Sequence, residues 1–209
     1  MKTENWGLIP YREAWERQKE LFRRLIDGDA EAETIAVCEH PAVYTLGFHG
    51  NADNLLVKPR EGVEVIRIER GGDITYHGPG QLVVYPLIDL RRHHLGVKQY
   101  VGILERAVRD TLEAYGIATT SNDDQIGVWL DWGKPTARKI CAIGVKISHG
   151  ATMHGLALNV NTDLSAFGLI NPCGITDKAV TSMQRELGRE VELGAVAELL
   201  TERLRDLLE

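Results

Sequence analysis

Among side chains able to attack a carbonyl, a thiol is intrinsically the most nucleophilic near neutral pH. The chain has three: Cys38, Cys141 and Cys173. Cys38 and Cys141 lie inside strand-like apolar runs and read as small core residues. Cys173 stands between Pro172 and Gly174, on backbone too irregular for a packed core. A loop thiol is accessible, and accessibility beside a base makes a nucleophile. Lys139 is a base to weigh. Strict alternation along residues 139–147 groups it with Cys141, Ile143, Val145 and Ile147, opposite Ile140, Ala142, Gly144 and Lys146. A lysine heading an apolar face loses hydration, which favours the neutral amine. The same spacing also suits a strand-end lysine that reaches out to solvent.

Two further segments have the composition of binding walls. Arg70-Gly71-Gly72-Asp73-Ile74-Thr75-Tyr76-His77-Gly78-Pro79-Gly80-Gln81 carries four glycines beside an arginine and a histidine. Glycine lets a ligand approach the backbone closely, so the segment could offer N–H donors to a bound group. It is no P-loop and lacks the dinucleotide fingerprint. A hairpin with turn glycines is the alternative reading. His154-Gly155-Leu156-Ala157-Leu158-Asn159 again places small residues where a ligand could run beside a strand. His77 and His154 have no third ligand at a suggestive spacing, so a metal site is not expected.

These residues need a scaffold. Apolar spacing predicts helices over residues 11–27, 97–115 and 192–208, with Pro10 at the start of the first. Strand patterns cover 33–39, 42–46, 63–70, 81–90, 126–132, 139–148 and 152–160, and 163–167 reads as one helical turn. Strands cluster in the middle with helices interspersed, without a regular βαβ rhythm. That predicts an α+β fold, a single domain over 1–209 with a mixed sheet flanked by helices.

Composition narrows the function classes. The 209 residues are 44% hydrophobic and 26% charged, which is globular and not disordered. A net charge of −6 argues against binding nucleic acid through bulk positive charge. Three cysteines without metal-ligand spacing exclude a disulfide framework and a zinc knuckle. No signal-peptide core and no apolar run of bilayer length are present, so a cytoplasmic protein without membrane contact is expected.

At these residues the chain resembles the LipB family of octanoyltransferases. The resemblance rests on five motifs in order: residues 40–47 (His-Pro-Ala-Val-Tyr-Thr-Leu-Gly), 70–90 with its His-Gly-Pro-Gly-Gln centre, 139–144, 154–159 and 171–175 (Asn-Pro-Cys-Gly-Ile). It implies the fold of biotin and lipoate ligase catalytic domains. It also implies transfer of an octanoyl group from acyl carrier protein to a lysine of lipoyl domains, in 2-oxoacid dehydrogenase complexes and the glycine-cleavage H protein. Carried over by position, Cys173 is the acyl-accepting nucleophile and Lys139 the residue that tunes it. The acyl pocket would be lined by Arg70, Gly71, Gly72, Asp73, Ile74, Thr75, Tyr76 and His77, by Ala142, Ile143 and Gly144, and by Gly155, Leu156 and Ala157.

Attack on a thioester needs no cofactor, because the acyl group arrives activated. A monomer is expected. The acidic carrier protein calls for a local basic surface, and Arg91-Arg92-His93-His94 is the first candidate, with Lys58 and Arg60 second; a solvated loop is the plainer reading. An ATP-dependent ligase of the same fold would leave Cys173 without a task. A non-catalytic lipoyl-domain binder would tolerate loss of Lys139 or Cys173, and a thioester hydrolase would use water as the second acceptor.

Overall fold

The computed structural model describes residues 1–48, 50–56, 61–120, 125–171 and 179–209. Three amphipathic helices supply the walls of the core. In α1 (Tyr11–Ile26), Tyr11, Ala14, Gln18, Phe22 and Leu25 are buried at three- and four-residue intervals. In α2 (Val97–Ala114), Tyr100, Leu104, Ala107, Val108, Thr111 and Leu112 form such a stripe. In α4 (Leu193–Leu208), it is Val196, Leu200, Thr201, Leu204 and Leu208. A short α3 (Met183–Leu187) precedes α4 and is capped by the Ser182 hydroxyl, which accepts from the Arg185 N–H.

The larger sheet runs in the order β1 (Lys2–Leu8), β2 (Thr34–Glu39), β6 (Gln81–Leu87), β9 (Ala151–Asn159), β8 (Arg138–Ser148) and β10 (Ala179–Val180), with β7 (Val128–Leu130) also paired to β8. β1–β2 and β8–β10 are parallel and the other pairs antiparallel, so the sheet is mixed. α2 and α4 cover one face over Leu82, Val84, Leu156 and Leu158. α1 covers the other over Val83, Tyr85, Met153 and Ala157. Burial on both faces explains why β6 and β9 read as near-continuous apolar runs rather than alternating ones. A second sheet, β4 (Glu64–Arg67), β3 (Val43–Leu46) and β5 (Ile74–His77), has its own small core around Tyr44, Leu46, Ile74 and Tyr76. The glycine-bearing segment therefore contains a strand, and its Gly78–Gly80 turn leads directly into β6.

The strands β1, β5 and β10 and the helix α3 escaped the sequence reading. β1 is a polar edge strand exposed along almost its whole length, β5 is hidden in the glycine-bearing segment, β10 has only two residues, and α3 is a single turn and a half. A further difference bears on chemistry. β7 pairs Val128 with Cys141 but Trp129 with Lys139, so Ile140 is an extra residue on β8. This bulge shifts the alternation by one. Ile140 and Cys141, neighbours in sequence, are both fully buried in the α2–α4 core. Lys139 is instead on the face of Ala142 and Gly144, not with Ile143, Val145 and Ile147 as strict alternation requires.

β9 also passes very close to β6. A Cβ on Gly155 would stand 2.8 Å from the Pro86 ring and collide with the Val84 carbonyl. Gly155→Ala is expected to cost about 1–3 kcal/mol by overpacking. Urea unfolding of the variant checks this, and an unchanged midpoint would show that the strands can separate without loss.

Candidate active site

Between the two sheets lies a cavity of about 120 Å³. That is many times the ~10–15 Å³ needed by one water, so the space suits a multi-atom ligand. Its floor is the α1-facing side of β8 and β9, where small side chains leave room: Ala142 opposite Ala157, and Gly144 opposite Gly155. Ile143 and Leu156, whose side chains belong to the α2–α4 core, also border the cavity. One wall comes from Arg70, Gly71, Gly72, Ile74, Thr75 and His77. Lys139 closes one end, and the floor from Lys139 to Gly144 is roughly 15 Å long at strand rise. The lining holds two cationic side chains, Arg70 and Lys139, and no carboxylate among the described residues.

Most residues expected at the pocket therefore meet there. Two do not line it. Asp73 turns to the loop after β3, accepting from the Asn51 N–H at 3.2 Å and from the Asn54 amide. Tyr76 turns into the core of the smaller sheet, against Tyr44 and Phe167. This is period-two geometry, since β5 sends Thr75 and His77 to one face and Ile74 and Tyr76 to the other, although Ile74 still borders the cavity. Cys173, Lys58 and Arg60 lie outside the described residues. The chain approaches Cys173 from Asn171, whose N–H donates to the Asn54 carbonyl, and Ala179 beyond it pairs with Arg138, next to Lys139.

Arg70 is a buried cation anchored to the smaller sheet, next to the backbone bond that ties the loop to β8. Its Nη2 donates to the Thr45 carbonyl at 2.7 Å and to Thr45 Oγ1 at 3.0 Å, and its Nη1 to the Gly71 carbonyl at 2.9 Å. The Gly71 N–H in turn donates to Val145 of β8. Lys139 is half-buried, with Nζ 4.6 Å from the centre of the Trp129 ring, a cation–π distance. Burial pushes the Cys141 thiol up to about 12 and raises Cys38 as well. Both thiols thus stay protonated at neutral pH and belong to the core, as their runs predicted.

Several lining residues carried no usable sequence signal. Tyr11 and Tyr85 looked like ordinary core aromatics. Tyr11 stacks on His77 with ring centres 5.7 Å apart, and the Tyr85 hydroxyl meets His40 Nε2 at 2.7 Å. Because His40 Nδ1 must donate to the Ile9 carbonyl, Nε2 is left to accept from Tyr85. His154 lies in a segment the sequence did flag. Its φ of +63° is rare for a side-chain-bearing residue, and its two ring nitrogens are buried without a hydrogen-bond partner among the described residues. Its N–H donates to Gln18 of α1.

The first candidate for a basic surface, residues 91–94, has Arg91, Arg92 and His93 paired with acidic side chains, and the second, Lys58 and Arg60, is outside the described residues. Arg91 is held bidentate by Asp89, and Glu33 accepts from His93 at 3.1 Å with Arg92 3.8 Å away. Acidic partners thus offset these charges. Gly150, in the β8–β9 turn, packs against Arg91 at the end of β8 remote from Lys139.

Among the described residues no three His, Cys, Asp or Glu side chains are grouped to hold a metal ion, and no helix is long and apolar enough to cross a membrane. Residues 10–205 match the family model of the lipoyl protein ligase A/B catalytic domain. An octanoyltransferase of Bacteroides fragilis (strain YCH46) is 50% identical over 206 residues, covering 95% of this chain and 93% of the relative. One from Christiangramia forsetii is 44% identical over 224 aligned residues, covering 100% and 96%. A bi-partite lipoate protein ligase from Thermoplasma acidophilum superposes with a TM-score of 0.72 at 16% identity, covering 99% of this chain and 83% of that one. Biotin protein ligase from Aquifex aeolicus gives 0.54 at 15% identity, covering 100% and 69%.

Burial lowers the histidines around the cavity, His40 to about 4 and His77 and His154 to about 3. Each is neutral when folded and takes a proton on unfolding below ~6.5. The unfolded state then binds more protons, so stability is fully present above pH ~6.5 and falls as the pH drops toward 4. The slope is about 1 kcal/mol per pH unit for each histidine. Urea titrations at pH 7, 6 and 5 should show this loss, and a flat profile would mean that the histidines are solvated.

Proposed function

The chain belongs to the lipoyl protein ligase A/B catalytic-domain family and is an octanoyltransferase of protein lipoylation, and we propose that it moves the acyl group through a thioester on Cys173 with Lys139 as proton carrier. The whole of 1–209 serves as one transferase domain in this reading. The observation that supports it most is Lys139 at the end of a cavity that no carboxylate lines among the described residues. Eight carbons joined by bonds of ~1.5 Å are shorter than the ~15 Å floor beside it. The Ala142–Ala157 and Gly144–Gly155 pairs leave that floor apolar and open, and each buried CH₂ contributes ~0.8 kcal/mol.

In the first step the amine of Lys139 takes the Cys173 proton, and the thiolate attacks the octanoyl thioester of acyl carrier protein. The new C–S bond forms, the carrier thiolate leaves, and the Lys139 ammonium returns the proton to it. In the second step the lysine amine of a lipoyl domain attacks the enzyme thioester. Lys139 removes the amine proton, the amide forms, and Cys173 departs as a thiolate. Backbone N–H groups of the glycine-bearing wall hold the oxyanion, at ~3 kcal/mol per donor in comparable sites. A cation beside the reacting carbonyl favours the anionic nucleophile and both anionic intermediates.

The bulge at Ile140 is what makes this role available to Lys139. On a regular strand its side chain would share the face of Cys141, on the α2–α4 side. The acyl donor and acceptor are proteins in this reading, acyl carrier protein and the lipoyl domains of 2-oxoacid dehydrogenase complexes and of the H protein. No ATP is consumed, which separates it from the ligases of the same fold.

Intact-mass measurement after mixing with octanoyl carrier protein should show one added octanoyl group, discharged by a lipoyl domain. Cys173→Ala should show none. A hydroxylamine-labile adduct that survives this substitution would place the nucleophile elsewhere. Lys139→Ala should lower kcat by ~10²–10⁴. Product from free octanoate and ATP, with none from the carrier thioester, would make the chain a ligase.

A further inference from the structure

A chain of buried side-chain amides connects the pocket wall to the strand of Lys139. Gln81 Nε2 donates to the Tyr76 carbonyl at 3.2 Å and to Asn159 Oδ1 at 2.9 Å. Asn159 Nδ2 donates to the Thr181 carbonyl at 3.0 Å. The Thr181 N–H donates to the Lys139 carbonyl at 2.9 Å. At the other end, Gln81 Oε1 meets His77 Nδ1 at 2.8 Å, and Thr45 Oγ1 meets His77 Nε2 at 3.3 Å.

The direction of every bond in this chain is fixed. Backbone carbonyls only accept, so those of Tyr76 and Thr181 pin the amide nitrogens of Gln81 and Asn159. Gln81 Oε1 must then face His77, and His77 Nδ1 must carry a hydrogen. From the far side, Arg70 donates into Thr45 Oγ1, which leaves the threonine hydrogen for His77 Nε2. Six groups thus run from a guanidinium to a backbone carbonyl without one ambiguous proton.

The topology explains what this chain holds. Cys141 pairs with β7 on one side and with β9 on the other, whereas Lys139 pairs with β7 and β10. β10 therefore occupies the side of β8 that β9 has left, and Asn159, the last residue of β9, grips Thr181 immediately after β10. Gln81 and Asn159 both also line the cavity.

We infer that Gln81 and Asn159 are positioning residues, which lock His77 as the Nδ1–H imidazole on the acyl wall and hold the Thr181 backbone that fixes Lys139. The inference rests on the proposed role of Lys139. It adds that the acyl wall and the proton carrier are one hydrogen-bonded unit. Burial and the neighbouring Arg70 keep His77 neutral, in agreement with that tautomer.

The decisive substitution is Asn159→Asp. It keeps the acceptor for Gln81 but sets a carboxylate oxygen against the Thr181 carbonyl. Since the acyl wall is retained, kcat should fall by about tenfold or more while KM for octanoyl carrier protein stays within about twofold. A wild-type kcat in this variant overturns the positioning role, as does a loss carried by KM alone. Nitrogen-15 NMR of the unaltered protein, with His77 assigned through His77→Gln, should show a protonated Nδ1 and an unprotonated Nε2. The opposite tautomer overturns the inference even where Asn159→Asp fails to fold. A fully active Lys139→Ala with the expected tautomer would sink the role of the lysine, whereas the wrong tautomer in an enzyme that still forms its octanoyl thioester would sink the relay.

Discussion

The buried guanidinium of Arg70 is the interaction on which the two-sheet arrangement depends. A charge taken from water must be met by hydrogen bonds, and here the Thr45 and Gly71 carbonyls and the Thr45 hydroxyl meet it. Those acceptors belong to the small sheet and to the loop that crosses onto β8. The close approach has a steric condition as well: a Cβ at Gly144 would lie 3.0 Å from both Arg70 Cδ and the Gly71 carbonyl. The glycines of the pocket are therefore the partners of a large cation before they are anything to a ligand. Burial lowers His77 and His154, the Arg70 charge adds to it, and both wall imidazoles stay neutral where an acyl chain would lie in the proposed reading.

A division of labour follows between the two ends of the cavity. Toward Arg70 everything is fixed by short hydrogen bonds and glycine contacts. Toward Lys139 the fixing is done by backbone, with β7 on one side and β10 on the other, while the lysine side chain sits over the Trp129 ring. In the proposed reading, that fixed far end would set where an acyl chain stops. A near end that holds backbone and leaves the amine room suits a group that must take up and return a proton within one cycle.

The sequence showed the helices well, because α1, α2 and α4 each bury one stripe against a flat sheet and their spacing has no other reading. β6 and β9 were legible as buried strands for the opposite reason, that both faces are covered. β1 was not legible, since a polar edge strand is held by backbone hydrogen bonds to β2, to which any side chain contributes alike. For the site, the glycines, Arg70 and Lys139 stood out by type. Tyr11 and Tyr85 did not, and Gln81 and Asn159 were flagged only as ends of glycine-bearing segments, because their importance lies in what they face across the fold. The ion pairs of the basic run at residues 91–94 were hidden in the same way: Glu33, which meets His93, is far away in the chain, and the pairing of Asp89 with Arg91 shows only in three dimensions. The face of Lys139 was misread because alternation assumes a regular strand.

That irregularity at Ile140 makes the β7–β8 pair sensitive to length in a way that it is not sensitive to composition. Ile140 can give way to another apolar residue at the cost of some packing. A residue added to β7 between Val128 and Trp129 would instead find Ile140 as its partner, bring the two strands into regular phase, turn Lys139 toward an aliphatic interior and leave the cavity without its amine. For lineages that carry this fold, drift by substitution is thus open along the strand, whereas a one-codon insertion opposite Ile140 is a closed road.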